Sequence, residues 1–175
     1  IYLWVADELK FDRFHKNNNQ LYQVLEKSTE NGTVVIHEGT QGPLADAMKK
    51  DLPEVISAVP VMSLEKNGMK ISLQTADKAV KTSGIFTRKA FLEIFSFPLL
   101  LGNPNNLLTN KEDMVLSEGL ATALFGSTNN AIGKIVSWEI MGRKQTSKIT
   151  GVFATPPKNN SLNFDFVANW DLLYQ

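Results

Sequence analysis

Short strands and short helices follow one another in this sequence without the regular strand–helix–strand repeat of a parallel sheet, and this predicts an α+β fold. Turn signals between apolar–polar runs indicate hairpins at Asn31-Gly32, Asn67-Gly68 and 141–144. Apolar residues at helical spacing, bounded by proline or glycine, indicate short helices after Pro43, over 88–95 and from Ser117.

In the first third of the chain, a loosely alternating run over 21–25 predicts a strand. The turn at Asn31-Gly32 returns the chain into a second strand over 34–36. Pro43 can begin a helix because its missing N–H is not needed there, and Pro53 stops that helix. The apolar face of the helix comprises Leu44, Ala45, Met48 and Leu52.

In the middle of the chain, alternation over 55–64 and 69–73 flanks Asn67-Gly68, and the sequence predicts its strongest hairpin here. A weaker strand is predicted over 79–85. The helix over 88–95 is predicted to end before Pro98. Its phenylalanines, together with Phe97, are interpreted as core packing and not as a ligand cage.

In the last third, a short strand over 114–116 leads to Ser117, which is predicted to cap a helix that ends at Gly126. Two runs, 132–140 and 146–153, are predicted to form another hairpin. A final strand is predicted to begin at 164–167. Gly126 and Gly133 stand where a positive φ is expected.

Composition narrows the possible functions. The 175 residues include 18 basic and 18 acidic side chains, so the chain lacks the positive charge with which proteins bind nucleic acid. There is no cysteine, which excludes disulfides, thiol catalysis and cysteine-based zinc sites. No stretch reaches the ~18 apolar residues that a membrane span requires. Residues 1–6, apolar with Tyr2 and Trp4 and then followed by charges, predict the end of a transmembrane helix at the interface, with a buried first helix as the alternative.

No catalytic, cofactor-binding or metal-binding residue is predicted. The sequence has no glycine-rich phosphate loop and no GxSxG nucleophile motif. His15 could join Asp7, Glu8 and Asp12 in a metal or acid–base site, but a solvated polar segment is the favoured interpretation. His37 is predicted to lie on the surface at a strand end.

Seven segments in order resemble the periplasmic domain of MacB/FtsX-like permeases, the membrane subunits of ABC transporters. The most specific are DELKFDRFHKN at 7–17, FLEIFSFPLL at 91–100 and ITGVF at 149–153. The others lie at 21–24, 42–55, 115–126, 132–134 and in the remainder of 149–165. Leu162 stands where the family usually has histidine.

The resemblance implies two lobes, called Porter and Sabre. Residues 1–64 and 162–175 would form a membrane-proximal Porter-like lobe, and 65–161 an inserted β-rich Sabre-like lobe. The family domain continues beyond the segment that resembles 165, so the Porter-like lobe is expected to be incomplete. The first strands and helix alone would make too small a core, whereas the middle segment carries its own hairpins and aromatic helix.

The resemblance also implies a function without catalysis or cofactor. Such a domain couples cytoplasmic ATP hydrolysis to periplasmic movement, or to engagement of a partner or substrate, in efflux or export. The implied partners are a cognate ABC ATPase, a second permease protomer, and a periplasmic adaptor or outer-membrane lipoprotein, with the parent protein in the bacterial inner membrane. Two alternatives remain open: a ligand-sensing extracytoplasmic domain of a membrane signalling protein, and a hydrolase with a non-standard site.

Overall fold

The computed structural model describes residue 12 and residues 14–157 and 160–173. Three α-helices are found in these ranges: α1 (Leu44–Asp51), α2 (Ala90–Ile94) and α3 (Glu118–Phe125). Short 3₁₀ turns occupy Asn18–Gln20, Pro104–Asn106, Thr128–Asn130 and Trp170–Leu173. The strands are β1 (Glu26–Glu30), β2 (Thr33–His37), β3 (Val61–Ser63), β4 (Ile71–Gln74), β5 (Ala79–Thr82), β6 (Gly84–Thr87), β7 (Leu99–Gly102), β8 (Asp113–Ser117), β9 (Ile135–Ile140), β10 (Arg143–Phe153) and β11 (Phe166–Asn169).

Nine of these strands form one curled sheet, and β1 with β2 form a separate two-stranded hairpin. The order in the large sheet is β3-β6-β11-β8-β10-β9-β4-β5, and β7 pairs with β10 beside this path. Two pairs are parallel, β6 with β11 and β8 with β10, and the others are antiparallel. The α+β prediction is confirmed, and the mixed sheet explains why no strict βαβ rhythm was present.

The centre of the sheet is buried on both faces. In β11, Phe166 and Ala168 point into one hydrophobic cluster, and Val167 points into the other. Successive side chains of a strand lie on opposite faces, so a strand that is apolar throughout needs a cover on each side. One cover includes α3, through Leu120 and Leu124, and the other is the aromatic segment that contains α2.

Helix α3 begins and ends as the sequence predicts. The Ser117 side chain accepts a hydrogen bond from the backbone N–H of Leu120, and the helix ends at Gly126 with φ +78°. A hydroxyl at the first position satisfies an otherwise unpaired N–H, and glycine adopts the left-handed conformation without steric cost. Gly133 also has a positive φ, as predicted.

Two of the predicted hairpins are confirmed. The turn at Asn31-Gly32 joins β1 to β2, although β1 begins at Glu26, later than the predicted strand over 21–25. The turn at Met141-Gly142 joins β9 to β10 in the register Arg143 opposite Ile140.

The hairpin predicted around Asn67-Gly68 is wrong. A turn forms there, closed by the N–H of Gly68 on the carbonyl of Glu65, but the strands on either side do not pair with each other. Strand β3 pairs with β6, and β4 pairs with β5 and β9. The N–H of Leu64 donates a hydrogen bond to the carbonyl of Gly84, so the residues just before the turn already pair with β6.

The strand predicted over 79–85 is two strands, β5 and β6, separated at Ser83. Strand β5 pairs with β4, whereas β6 pairs with β3 and β11, so the chain crosses from one edge of the sheet towards the other within one residue. The Ser83 carbonyl accepts a hydrogen bond from the N–H of Asp165, which anchors this crossing to the start of β11.

The strand pairing and packing of the described residues do not divide the chain into the two predicted lobes. Strand β11 pairs with β6 and β8, both within 65–161, while Val59 and Leu64 pack in the same two clusters as Val167 and Phe166. The two-lobed division stays a prediction. The predicted transmembrane end at 1–6 lies outside the described residues, and within those residues no helix has the length and apolarity to cross a membrane.

Candidate functional site

Three segments that are distant in sequence meet at one cluster of aromatic rings, here called the aromatic junction. The segments are 12–16, of which the structure describes residues 12 and 14–16, the region of α2 with the residues that follow it, and 160–165. Its ring-bearing residues are Phe14, His15, Phe91, Phe95, Phe97 and Phe164. All three segments lie within the motifs that carry the family resemblance, and the structure brings them together at one place.

His15 lies at the centre of the junction and is only 5% exposed. Its Nδ1–H donates a hydrogen bond to the carbonyl oxygen of Phe95. Its ring stands edge-on to the rings of Phe95 and Phe97, at centroid distances of 5.4 and 5.5 Å. Edge-to-face contact is the favoured arrangement of such rings. The imidazole therefore joins segment 12–16 to the core by packing and by a hydrogen bond at the same time.

Two polar contacts flank the histidine. The backbone N–H of Ser161 donates to the Oδ1 of Asp12 over 2.9 Å, and the N–H of Lys16 donates to the Oγ of Ser96 over 3.3 Å. The segment is thus bonded at both ends and packed in the middle, so that a displacement of residues 12–16 would be resisted by loops 95–96 and 160–161 together.

The backbone at the end of α2 is shaped for this contact. Ser96 has φ +52°, a left-handed conformation that is unfavourable for a residue with a side chain. Glycine is the usual residue at this position after a helix. Here serine supplies a hydroxyl to Lys16, which glycine could not do. Asp12, which accepts the hydrogen bond from Ser161, also has a positive φ, so each of the two polar contacts includes a left-handed residue.

The junction continues into the sheet. Phe97 packs edge-on to Phe164 at 5.0 Å, and Phe164 contacts Phe153 of β10 at 5.3 Å. Next to Phe164, the Asp165 carboxylate accepts hydrogen bonds from Thr82 at 2.7 Å and Ser117 at 3.2 Å. The same few residues therefore connect the aromatic junction to β5, β8, β10 and β11.

The predicted environment of His15 is corrected by the structure. The sequence favoured a solvated polar segment, but His15 is buried between Phe14, Phe95 and Phe97. The prediction was wrong because it rested on the polar residues next to His15 in the sequence. The apolar rings of Phe95 and Phe97, which surround His15 in the fold, come from about 80 positions away. Asp7 and Glu8 lie outside the described residues.

His37 lies where it was predicted, exposed at the end of β2. Its Nε2 is 3.2 Å from both the Oγ of Ser28 and the Oε1 of Glu30. Because both neighbours share one ring nitrogen, the arrangement differs from a catalytic triad, in which the base binds the nucleophile and the acid through different nitrogens. Within the described ranges, no group of three or more histidine or acidic side chains is arranged to hold a metal ion.

The phenylalanines of the helix over 88–95 are core residues, as predicted. Phe91 has no exposed surface and Phe97 is 5% exposed, and the two rings stack at 5.9 Å. A cluster of this kind can hold segments together and transmit displacement between them. The sequence identified its phenylalanines but missed its histidine, and the only signal was that Phe11 and Phe14 interrupt an otherwise polar segment.

Solved domains of a permease protein, of YknZ and of MacB share this fold. A domain of a permease protein from Porphyromonas gingivalis has a TM-score of 0.66 at 21% identity over 86% of this chain. The extracellular domain of the ABC-type transporter YknZ from Gram-positive bacteria scores 0.52 at 17% identity over 71%. The periplasmic region of MacB from Actinobacillus actinomycetemcomitans scores 0.51 at 15% identity over 74%. The alignments cover 62%, 59% and 56% of those chains.

No protein with a curated function matches the sequence. The model of the MacB-like periplasmic core domain family matches residues 1–174, and the chain belongs to that family. It is thus a periplasmic domain of the MacB/FtsX-like ABC permease type, and this is a class of transporter component and not of enzymes.

Proposed function

We propose that this domain couples ATP hydrolysis in the cytoplasm to movement in the periplasm, in a permease that serves efflux or export. The observation that carries the proposal is the aromatic junction. Residues 12–16 follow the predicted membrane end at 1–6 after five further residues, and His15 binds them to the core of the sheet. A displacement of the membrane helix would reach the sheet through this contact, because packed cores shift as units.

The proposed partners follow from the same function. A cognate ABC ATPase binds the permease on the cytoplasmic side, and a second permease protomer completes the transporter in the inner membrane. A periplasmic adaptor or an outer-membrane lipoprotein engages the surface of the domain. The domain itself binds no nucleotide and catalyses no reaction, in keeping with the missing phosphate-binding motifs.

The two-lobed architecture is part of the proposal. Residues 1–64 and 162–175 would belong to the membrane-proximal lobe and 65–161 to the inserted lobe. Support comes from the weak internal packing of residues 21–60, none of which is buried. Residues 21–60 have no core of their own and need another part of the chain or a neighbouring protein to complete one.

The test uses the whole permease, reconstituted with its ATPase in lipid nanodiscs. A spin label at Thr122→Cys, exposed on α3, reports the distance between the two protomers. We expect ATP with vanadate to change this distance in the parent protein. In the His15→Ala variant we expect ATP hydrolysis to continue while the distance change is lost. The reason is that residues 12–16 no longer bind the core of the sheet through His15, so movement of the membrane helix does not reach it.

The matched control is His37→Ala, which removes an exposed histidine from the β1–β2 hairpin. This variant should keep both ATP hydrolysis and the distance change. If His15→Ala also keeps the full distance change, the aromatic junction is not the coupling element and the proposal fails.

A further inference from the structure

Strands β4 and β9 are neighbours in the sheet, but in the part of the chain that the structure describes they pair at one position only, Gln74 opposite Ser137. By contrast, every residue of β9 pairs with β10, and every residue of β4 pairs with β5. Continuing the antiparallel register would put Ile71 opposite Ile140, but the ladder does not extend that far. Each strand therefore keeps a stretch of backbone without a strand partner on the side that faces the other.

A groove of about 600 Å³ lies where this pairing has ended. Its lining residues are Glu65, Gly68, Met69, Lys70, Ile71, Lys81, Glu139, Ile140 and Met141. Met69 and Ile140 also pack against the hydrophobic cluster that α3 covers, and Ile71 is a buried member of that cluster. The core of the sheet therefore fixes the walls of this groove, here called the β4–β9 groove.

The lining of the β4–β9 groove combines apolar side chains with charges of both signs. Met69, Ile71 and Ile140 are apolar, and Met141, 77% exposed in the turn between β9 and β10, adds a fourth apolar side chain. Methionine is unbranched and flexible, so it adapts to ligands of different shape. The two lysines and two glutamates in the lining cancel in charge, so the groove has no net attraction for a polyanion.

An extended peptide has the chemistry that such a groove can bind. Strand edges without a partner offer backbone N–H and C=O groups, and peptides bind to them through main-chain hydrogen bonds. Alternate side chains of the peptide then point to the same side, where an apolar lining can receive them. The volume is within the range of about 300–1,000 Å³ that is usual for ligand sites. A purely apolar ligand, such as an acyl chain, would leave the backbone groups and the charged side chains without partners.

We infer that the β4–β9 groove binds an extended peptide segment of another molecule. The backbone of the peptide forms hydrogen bonds with the strand edges beyond Gln74 and Ser137, and its apolar side chains contact Met69, Ile140 and Met141. This inference concerns binding alone. It holds whether or not the domain couples ATP hydrolysis to movement, because binding is measured without nucleotide.

The test uses the whole permease in lipid nanodiscs, with empty nanodiscs as the blank. The probe is a fluorescein-labelled heptapeptide of alternating threonine and valine, and its fluorescence anisotropy reports binding. The comparison probe has the same sequence with N-methylated valines, which removes main-chain donors and keeps every side chain. We expect the parent protein to bind the first probe at least about tenfold more tightly than the second, because each lost hydrogen bond weakens binding.

The variant Met141→Asp places a charge in the apolar lining at an exposed turn, so the fold should tolerate it. We expect it to weaken binding of the heptapeptide by at least about fivefold. The matched control is Ile135→Asp, which makes the same kind of change at a side chain 65% exposed on β9, outside the groove. This control should bind the heptapeptide like the parent, and a thermal melt should show that both variants are folded.

Three outcomes would overturn the inference. If the parent does not bind the heptapeptide, or binds the N-methylated probe equally well, the strand edges do not recognise a peptide backbone. If Ile135→Asp weakens binding as much as Met141→Asp, the site lies elsewhere. If dodecanoate binds in a way that Met141→Asp abolishes while the heptapeptide does not bind, the groove takes acyl chains. None of these results changes the expected movement of the spin label at position 122, so the coupling proposal is tested separately.

Discussion

In the nine-stranded sheet, Phe86, Phe153 and Phe166 have no exposed surface. In residues 21–60, here called the flap, which contain β1, β2 and α1, Tyr22 and Ile56 are 85% and 84% exposed. Both regions use strands, turns and a helix, and both contain apolar side chains. The difference lies in what covers them. The sheet is covered on both faces by its own chain, but the flap presents its apolar side chains outwards.

This contrast shows that the two regions obtain their stability differently. Burial of apolar surface contributes about 25 cal/mol per Å², so the sheet carries its own driving force for folding. A two-stranded hairpin is at best marginally stable by itself. The flap must therefore depend on contacts with the rest of the chain, such as the ion pairs Glu38–Lys66 and Asp46–Arg88 and the packing of Val59 against the sheet.

The largest expected difference between the two regions comes from truncating an apolar side chain. Phe166→Ala should reduce the free energy of unfolding by about 3–5 kcal/mol, because it leaves a cavity in the middle of the sheet. Ile36→Ala, at a side chain 63% exposed in β2, should change it by less than about 0.5 kcal/mol. Urea unfolding followed by circular dichroism measures both. Similar losses in the two variants would contradict the contrast.

A smaller difference is expected for glycine. Gly102 has φ +110°, and a Cβ there would lie 2.6 Å from the carbonyl oxygen of Thr150 in β10. Gly102→Ala should therefore destabilise the sheet by more than about 1 kcal/mol, through strain and steric overlap together. Gly32→Ala, in the β1–β2 turn, meets no atom within 4 Å and carries only the strain of φ +81°.

Thermal melts and amide exchange distinguish these two glycine variants. Gly102→Ala should lower the melting temperature of the whole domain. Gly32→Ala should increase exchange in β1 and β2 and leave the sheet unchanged, because the hairpin does not pair with the sheet. A global loss of stability in the Gly32→Ala variant would show that flap and sheet unfold as one unit.

The smallest expected effect concerns pH. Because Lys66 lowers the pKa of Glu38, this pair contributes fully above the pKa that Glu38 has in the unfolded chain. The contribution is lost as the pH falls through the lower pKa of the folded state. Carboxyl NMR titration should show the pKa of Glu38 rising in Lys66→Gln and staying the same in Lys50→Gln. An unchanged value in Lys66→Gln would mean that the ion pair does not form in solution.

The sequence predicted elements well where local signals decide them. Ser117 and Gly126 bound α3, and Met141-Gly142 turns between β9 and β10, because caps and tight turns depend on residues next to each other. Which strands pair with each other does not depend on neighbouring residues alone. The Asn67-Gly68 turn looks like a hairpin, but β3 finds a better partner in β6, 20 or more residues away, where both strands enter the core.

The aromatic junction was predicted only in part, for the same reason. The phenylalanines after Ala90 carry helical spacing and an apolar character that indicate a core. His15 sits among polar neighbours in sequence, and only the fold brings Phe95 and Phe97 around it. Ser96 gives no sequence signal for a left-handed residue, since glycine or asparagine would be expected there.

The position of β11 has a consequence for how the protein is made. This strand lies between β6 and β8 near the middle of the sheet, yet it is the last strand of the described chain. As the chain reaches the periplasm from its N-terminal side, β6 and β8 therefore arrive before the strand that joins them, and each has an unpaired edge until that strand follows. Until Phe166–Asn169 has arrived, the chain exposes two unpaired strand edges and the apolar faces beside them. The centre of the sheet can therefore close only when residues 166–169 become available.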